Sequence, residues 1–419
     1  MAVRLKISDP VIIAQGPRYK DVGWGEFQFP LLGDRAEDGA IYASVQITED
    51  SGEAYGARLG RAFFISKDEG EHWEALPKEE WAAASMRQAM RLPNGERIKL
   101  DSAPIVRVAP ENLPAPASVL YGPESGRDRV LYRASDIPDS LVHKGWYVDR
   151  YDPKTGEMSR EQAKLDWPNM CIGGGRDYLF SPWPIGRMRL SPDGTLFHTH
   201  YGRGLYPENS APDLFFQQYY FKSEDAAHSW SLVCTIPFVP DVRKMPRAYF
   251  AEGFCEADVA FMPDGSIFTL LRTGYSLDMQ FPMYYARSTD GGKSFSEPQI
   301  FDRLGVWPTL CSLSCGVTLA SYGRPGFFIR ATDARDGLVW DDPIELLSTE
   351  VKPDAREIPP CPGESRAPFE WRSGCGYSDM IPLDAHSALL VYTDFYVPDE
   401  NGENRKTLLC RKIAVEEYK

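Results

Sequence analysis

Four short segments of this chain share one pattern, and that pattern limits what the chain can fold into. SKDEGEHW at 66–73 reads Ser-x-Asp-x-Gly-x-x-Trp, and STDGGKSF at 288–295 ends on Phe instead. SEDAAHSW at 223–230 keeps the Ser, Asp and Trp, and TDARDGLVW at 332–340 is a copy stretched by an insertion. The physics of the motif is that of a hairpin staple. Asp accepts hydrogen bonds from turn amides, Gly takes a positive φ, and the terminal aromatic tucks into a core. Such a staple carries no chemistry of its own. It does say that one supersecondary unit recurs along the chain.

A second repeat, hydrophobic residues flanking Pro-Asp-Gly, occurs in RLSPDGTLF at 189–197 and FMPDGSIF at 261–268. Each precedes an Asp motif by roughly 25 to 35 residues, the spacing of an inner hairpin followed by a stapled outer one. The expected fold is therefore all-β: one six-bladed β-propeller domain over 1–419, each blade a four-stranded antiparallel sheet. The blades are expected at Glu26–Pro77, Asp101–Lys164, Pro184–Ile236, Glu256–Phe301, Cys311–Leu347 and Gly374–Val415. The opening strand, VRLKISDPVII, is expected to complete the last blade and so remove an exposed sheet edge. Between blades, 79–96 reads as a loop with a short helix, and 135–176 and 349–372 read as long loops over one face.

Composition agrees and excludes some functions. With 21 Tyr, 21 Phe, 10 Trp, 35 Gly and 34 Pro, short strands and many turns are favoured over long helices. A net charge of −14 argues against a nucleic-acid surface. No apolar run approaches membrane-spanning length. The first residues lack the apolar segment and cleavage site of a signal peptide, so the cytoplasm is expected, or a secreted or periplasmic location if a leader has been removed. Eight scattered Cys include no CxxC pair, which points to reduced, mostly buried thiols and no zinc site. His198 and His200 share one strand face; two ligands do not make a metal site, and a polar pocket wall is expected there, with no metal and no cofactor.

The stretch with chemical promise is 255–272, CEADVAFMPDGSIFTLLR. It reads as a hairpin about the Pro-Asp-Gly turn at 263–265. Glu256 opens its first strand and Arg272 closes its second, so the two ends meet on the side opposite the turn.

Together, the Asp motifs, the blade-sized repeats and this hairpin resemble the sialidase (neuraminidase) superfamily, over nearly the whole chain. The hairpin looks like the family segment that starts with a catalytic Glu and ends with a substrate-binding Arg, here Glu256 and Arg272. YGRPG at 322–326 looks like the segment with a further substrate-binding Arg, here Arg324, and GYSDM at 376–380 is similar to the one with the tyrosine nucleophile, here Tyr377. FQFP at 27–30 stands where the family has Tyr/Phe-Arg-Ile-Pro, whose Arg is the first of three that clamp a carboxylate. Here that position is Gln28, and a neutral amide does not replace a bidentate Arg. The resemblance places the acid/base at Asp50, by location alone, with Glu49 and Glu53 as rivals.

What the resemblance implies is a retaining exo-glycosidase that removes a terminal, acidic sugar from a glycan. Tyrosine, protonated at neutral pH, needs a base, and Glu256 is the expected one. Arg272 and Arg324 would hold an anion, Gln28 would border the same pocket, and Arg18 or Arg187 would stand in for the absent Arg. Trp24, Trp183, His198, His200 and Tyr201 are candidate pocket-lining residues. The alternatives are a glycosidase of the same fold with another substrate, as Gln28 suggests, and a non-catalytic glycan-binding propeller.

Overall fold

The computed structural model describes residues 3–50, 60–102, 104–122, 127–204, 215–239, 243, 251–275, 281–350 and 373–416. Among these, strands dominate. The helical residues are one seven-residue α-helix, Trp81–Arg87, and three single-turn 3-10 segments. No helix among them is long and apolar enough to cross a membrane.

The strands form small antiparallel sheets in chain order. The first comprises Gln28–Leu32, Ile41–Gln46, Arg61–Ser66 and Glu74–Ala75. The second comprises Met90–Arg91, Arg97–Asp101, Trp146–Tyr151 and Met158–Asp166; the third comprises Met188–Leu190, Leu196–Gly202, Gln217–Ser223 and Ser229–Ile236. These two are continuous, because Lys164–Asp166 pairs in parallel with Ser229–Ser231. The fourth runs from Ala251–Phe261 through Ile267–Tyr275 and Met283–Ser288 to Gln299–Asp302. The fifth runs from Val306–Ser312 through Thr318–Gly323 and Phe327–Thr332 to Ile344–Leu347. The sixth holds Ser378–Pro382, Ser387–Pro398 and Asn404–Val415, and both Leu5–Ile7 and Val11–Arg18 pair with its last strand.

Apolar clusters lie between successive sheets of this series. Phe197, Ile236, Val259 and Leu271 join the third sheet to the fourth; Phe268, Leu270, Leu310 and Tyr322 join the fourth to the fifth. Leu319, Ile329, Leu390 and Ile413 join the fifth to the sixth, and Ile41, Val45, Leu389 and Leu408 join the sixth back to the first. The repeated Asp motifs sit between the third and fourth strands of their sheets. Asp68 Oδ1 accepts from the Ser66 hydroxyl and the His72 amide, both at 2.9 Å, and Asp225 and Asp290 repeat this with Ser223 and Ser229, and with Ser288 and Ser294. In the stretched copy Asp336, rather than Asp333, caps the turn, accepting from the Leu338 amide. The motif aromatics Trp73, Trp230, Phe295 and Trp340 all pack into the inter-sheet clusters.

Two expectations about the second sheet fail. It begins at Met90, not Asp101, because Asn94-Gly95 turns one strand back on the next: Gly95 has φ +91° and Glu96 N donates to Asn94 Oδ1. The stretch 135–176 is not a loop. It contains Trp146–Tyr151, whose residues alternate between buried and half-buried, as well as Met158–Asp166 and Cys171–Gly174. Cys171–Gly174 belongs to an additional five-stranded sheet with Val106–Arg107, Ser118–Gly122, Arg127–Arg133 and Tyr178–Phe180, which has its own apolar cluster around Val130, Ile172 and Leu179. The fifth sheet also starts earlier than expected, at Val306.

Candidate active site

The first strands of the first, fourth and fifth sheets carry the same irregularity. Each has a bulge, between Gln28 and Leu31, between Cys255 and Asp258, and between Val306 and Thr309. In each bulge one residue other than glycine adopts a positive φ: Phe29 at 53°, Glu256 at 48° and Trp307 at 45°. Positive φ at such residues costs of order 1–3 kcal/mol and persists only where the surroundings enforce it. A bulge re-aims a side chain, and all three of these side chains reach Tyr377. The Phe29 ring meets the Tyr377 ring edge-on at 4.7 Å, and the Trp307 indole stacks on it at 4.8 Å with an interplanar angle of 23°. Glu256 Oε1 accepts the Tyr377 hydroxyl proton in a 2.5 Å hydrogen bond.

Arg272 completes the centre. Its strand pairs Arg272 with Cys255, and its guanidinium donates to Glu256 Oε2 and, at 3.1 Å, to the Tyr377 oxygen. Arg324 lies over the rings of Trp24 and Tyr377, at 5.4 and 6.0 Å. That approach depends on Gly376, at φ +76°, where an added Cβ would stand 2.7 Å from the Arg324 Cβ. Glu256, Arg272 and Arg324 are all buried. Burial, and secondarily the Glu256 charge, raises the Tyr377 pKa well above its ordinary value, against the opposing pull of Arg272 and Arg324. The phenol is therefore held neutral, with its proton directed at a carboxylate.

Asp50 follows the Ile41–Gln46 strand of the first sheet and is tied to the same cluster through its backbone. Its amide donates to the Trp24 carbonyl at 2.8 Å, and Gly25, at φ +99°, passes so close that a Cβ there would meet the Asp50 backbone. Glu49 lies beside Gly23, and Glu53 falls outside the described residues. The Gly23–Glu26 turn rests on buried Lys406, whose Nζ donates to the carbonyls of Gly23 at 2.9 Å and Glu26 at 3.0 Å.

Three expected pocket residues lie elsewhere. Gln28, paired with Gln46 just before the bulge, is fully buried, and its Oε1 accepts from the Gly25 amide at 3.1 Å. Arg187 is engaged below the site by Asp379 Oδ1 at 2.7 Å, Thr309 Oγ1 at 2.6 Å and the Ser378 carbonyl at 2.9 Å. His200 is buried with His198 among Trp146, Trp167 and Phe221, and burial pushes both imidazoles down to about 3, so they are neutral core residues. Arg18 is exposed and ion-paired with Asp21 and Glu403. Trp24 joins Tyr19, Phe395 and Cys375 in the cluster that packs against Tyr377. Among the described residues no group of three His, Cys, Asp or Glu is arranged to hold a metal ion.

Sequence reasoning did not single out Trp307, Phe29 or Lys406. The first two had a signal: Trp307-Pro-Thr-Leu and Phe29-Pro-Leu-Leu occupy the same place in their sheets as Glu256-Ala-Asp-Val. The strand following Tyr377 has its own tie. Asp379 Oδ2 accepts from Leu32 N in the first sheet, as Asp258 Oδ2 of the fourth accepts from Leu310 N in the fifth.

No family model matches the sequence, and no curated protein matches it. Among solved structures, the chain is similar to a protein of unknown function from Dyadobacter fermentans, with a TM-score of 0.62 at 16% identity over 98% of this chain and 99% of that one. That likeness is one of fold. Looser similarity extends to a Hadza microbial sialidase, with a TM-score of 0.48 at 14% identity over 93% of this chain and 66% of that one. It extends also to an alpha-L-arabinofuranosidase of Fusarium graminearum, with a TM-score of 0.49 at 13% identity over 98% of both chains.

Proposed function

We propose that this chain is a six-bladed β-propeller, a single domain closed by its N-terminal strands, and that it is a retaining exo-glycosidase with a tyrosine nucleophile. The observation that carries the reading is the hydrogen bond from Tyr377 to Glu256 Oε1, with Arg272 donating to Glu256 Oε2 and to the Tyr377 oxygen. Packing of sheet against sheet around to the first supports the ring.

In the first step the Tyr377 oxygen bonds to the anomeric carbon while its proton passes to Glu256. The glycosidic bond breaks and the leaving oxygen takes a proton from Asp50. In the second step water, giving its proton to Asp50, displaces the sugar from Tyr377, which regains its proton from Glu256. A neutral nucleophile suits an anomeric carbon bearing a carboxylate, since an anionic one would be repelled. Arg272 and Arg324 are the cations for that group.

One observation favours a second reading of the substrate. Gln28 is buried and Arg187 is engaged by Asp379, so neither supplies a third contact to a carboxylate. A terminal sugar with a weaker or differently placed anion fits two Arg better than three. A panel of aryl glycosides, with and without an anomeric carboxylate, tests both readings. Hydrolysis of at least one member, abolished by Tyr377→Phe in a folded protein, supports the glycosidase. Binding of glycans with no turnover of any member supports a lectin-like propeller instead.

A further inference from the structure

Trp307 touches both Tyr377 and a neighbouring pocket. One of its faces is stacked on Tyr377. Over its ring lies the Arg187 guanidinium, at 4.9 Å, and that guanidinium is fixed by Asp379, Thr309 and the Ser378 carbonyl. Trp307 also lines a partly open pocket of about 180 Å³, whose walls include Leu31, Met90, Met188, Arg189 and Met380. Asp379 and Arg187 line the same pocket, whereas Tyr377 and Glu256 do not. The indole thus touches both the Tyr377 ring and a pocket that Tyr377 does not line.

The geometry at the phenol makes its orientation matter. The Tyr377 oxygen donates to Glu256 and accepts from Arg272, which leaves one lone pair for a bond to carbon. Rotation of the ring would break this arrangement, and Phe29 edge-on with Trp307 face-on fix the ring from two sides. We propose that Trp307 is a positioning residue: its indole, backed by Arg187, holds the Tyr377 ring in its attacking orientation and screens it from the neighbouring pocket. The inference rests on the reading of Tyr377 as nucleophile for its meaning in catalysis, and on the stack alone for its effect on the ring. The positive φ of Trp307 fits such a role, because strain at a bulge is retained where it aims a side chain.

The test replaces Trp307 with Phe and with Ala and reads two quantities. The first is turnover on whichever aryl glycoside the native chain hydrolyses. Trp307→Ala is expected to lower kcat by about 10- to 100-fold with little change in KM, and Trp307→Phe to restore most of it. The second needs no turnover: 3-fluorotyrosine is placed at 377 and its fluorine resonance is followed against pH. The charged groups facing that phenol are Glu256, Arg272 and Arg324, and the substitutions leave them in place. Exposing the ring to the neighbouring pocket should move the titration to lower pH in Trp307→Ala and broaden the line, with Trp307→Phe close to native. A folded Trp307→Ala protein with native titration, linewidth and kcat would overturn the proposal. So would a raised KM at unchanged kcat, which marks a substrate contact. If Tyr377→Phe keeps its turnover, the nucleophile reading fails, and the fluorine titration still decides whether Trp307 positions the ring.

Discussion

Asp379 accepts a 2.7 Å hydrogen bond from Arg187, two residues past Tyr377 on the same segment. The same carboxylate takes the Leu32 amide with its other oxygen. One side chain thus ties the third, sixth and first sheets together directly beneath the site. Breaking a buried pair leaves an uncompensated charge, so Asp379→Ala should cost about 3–5 kcal/mol in chemical denaturation. Arg187→Met should destabilise without raising KM selectively for anionic glycosides. A selective rise in KM would return Arg187 to the substrate.

The Asp motifs predict a separation of stability from activity. Asp225→Ala should lower stability by about 1–2 kcal/mol through lost turn hydrogen bonds. Turnover per folded molecule should stay native, because the turn lies between the outer strands of the third sheet. Loss of turnover in a fully folded variant would contradict this.

Lys406 predicts a pH dependence. Burial lowers its pKa from 10.5 to about 8, so the unfolded chain holds that proton more tightly. Between those pH values unfolding takes up a proton, and stability contributed by this group rises with pH, by roughly 3 kcal/mol across the window. The rise should be missing in Lys406→Met when both proteins are denatured at pH 7.5 and 10. Parallel curves for the two would refute it.

Gln28→Arg should not create a third carboxylate contact. The position is fully buried, and its amide oxygen holds the Gly25 turn. The expected outcome is lower stability and no gain in sialoside hydrolysis. A gain in a stable variant would show that the strand can turn that residue outward.

Much of this was legible in the sequence, and the failures have physical causes. Glu256 and Arg272 were placed together by a hairpin, where pairing across a Pro-Asp-Gly turn dictates proximity. Gln28 was misplaced because the bulge that follows it breaks its strand's inward and outward alternation, whereas Arg187 and His200 adjoin or sit on regularly paired strands and were misplaced because an ion pair and an aromatic cluster cannot be read from a residue pattern. Trp307 was overlooked because its strand was read from Cys311, five residues past its start at Val306. The additional sheet escaped notice because it is built from segments as distant as Val106 and Phe180.

The central claim is that Tyr377 becomes covalently attached to the sugar. A fluorinated glycosyl fluoride of the hydrolysed class slows the second step and allows the adduct to accumulate. Peptide mass spectrometry of the quenched protein should then find one added glycosyl group on the peptide containing Tyr377, and none in Tyr377→Phe. An adduct on Glu256 or Asp50, or turnover by Tyr377→Phe at the native rate, would contradict the account.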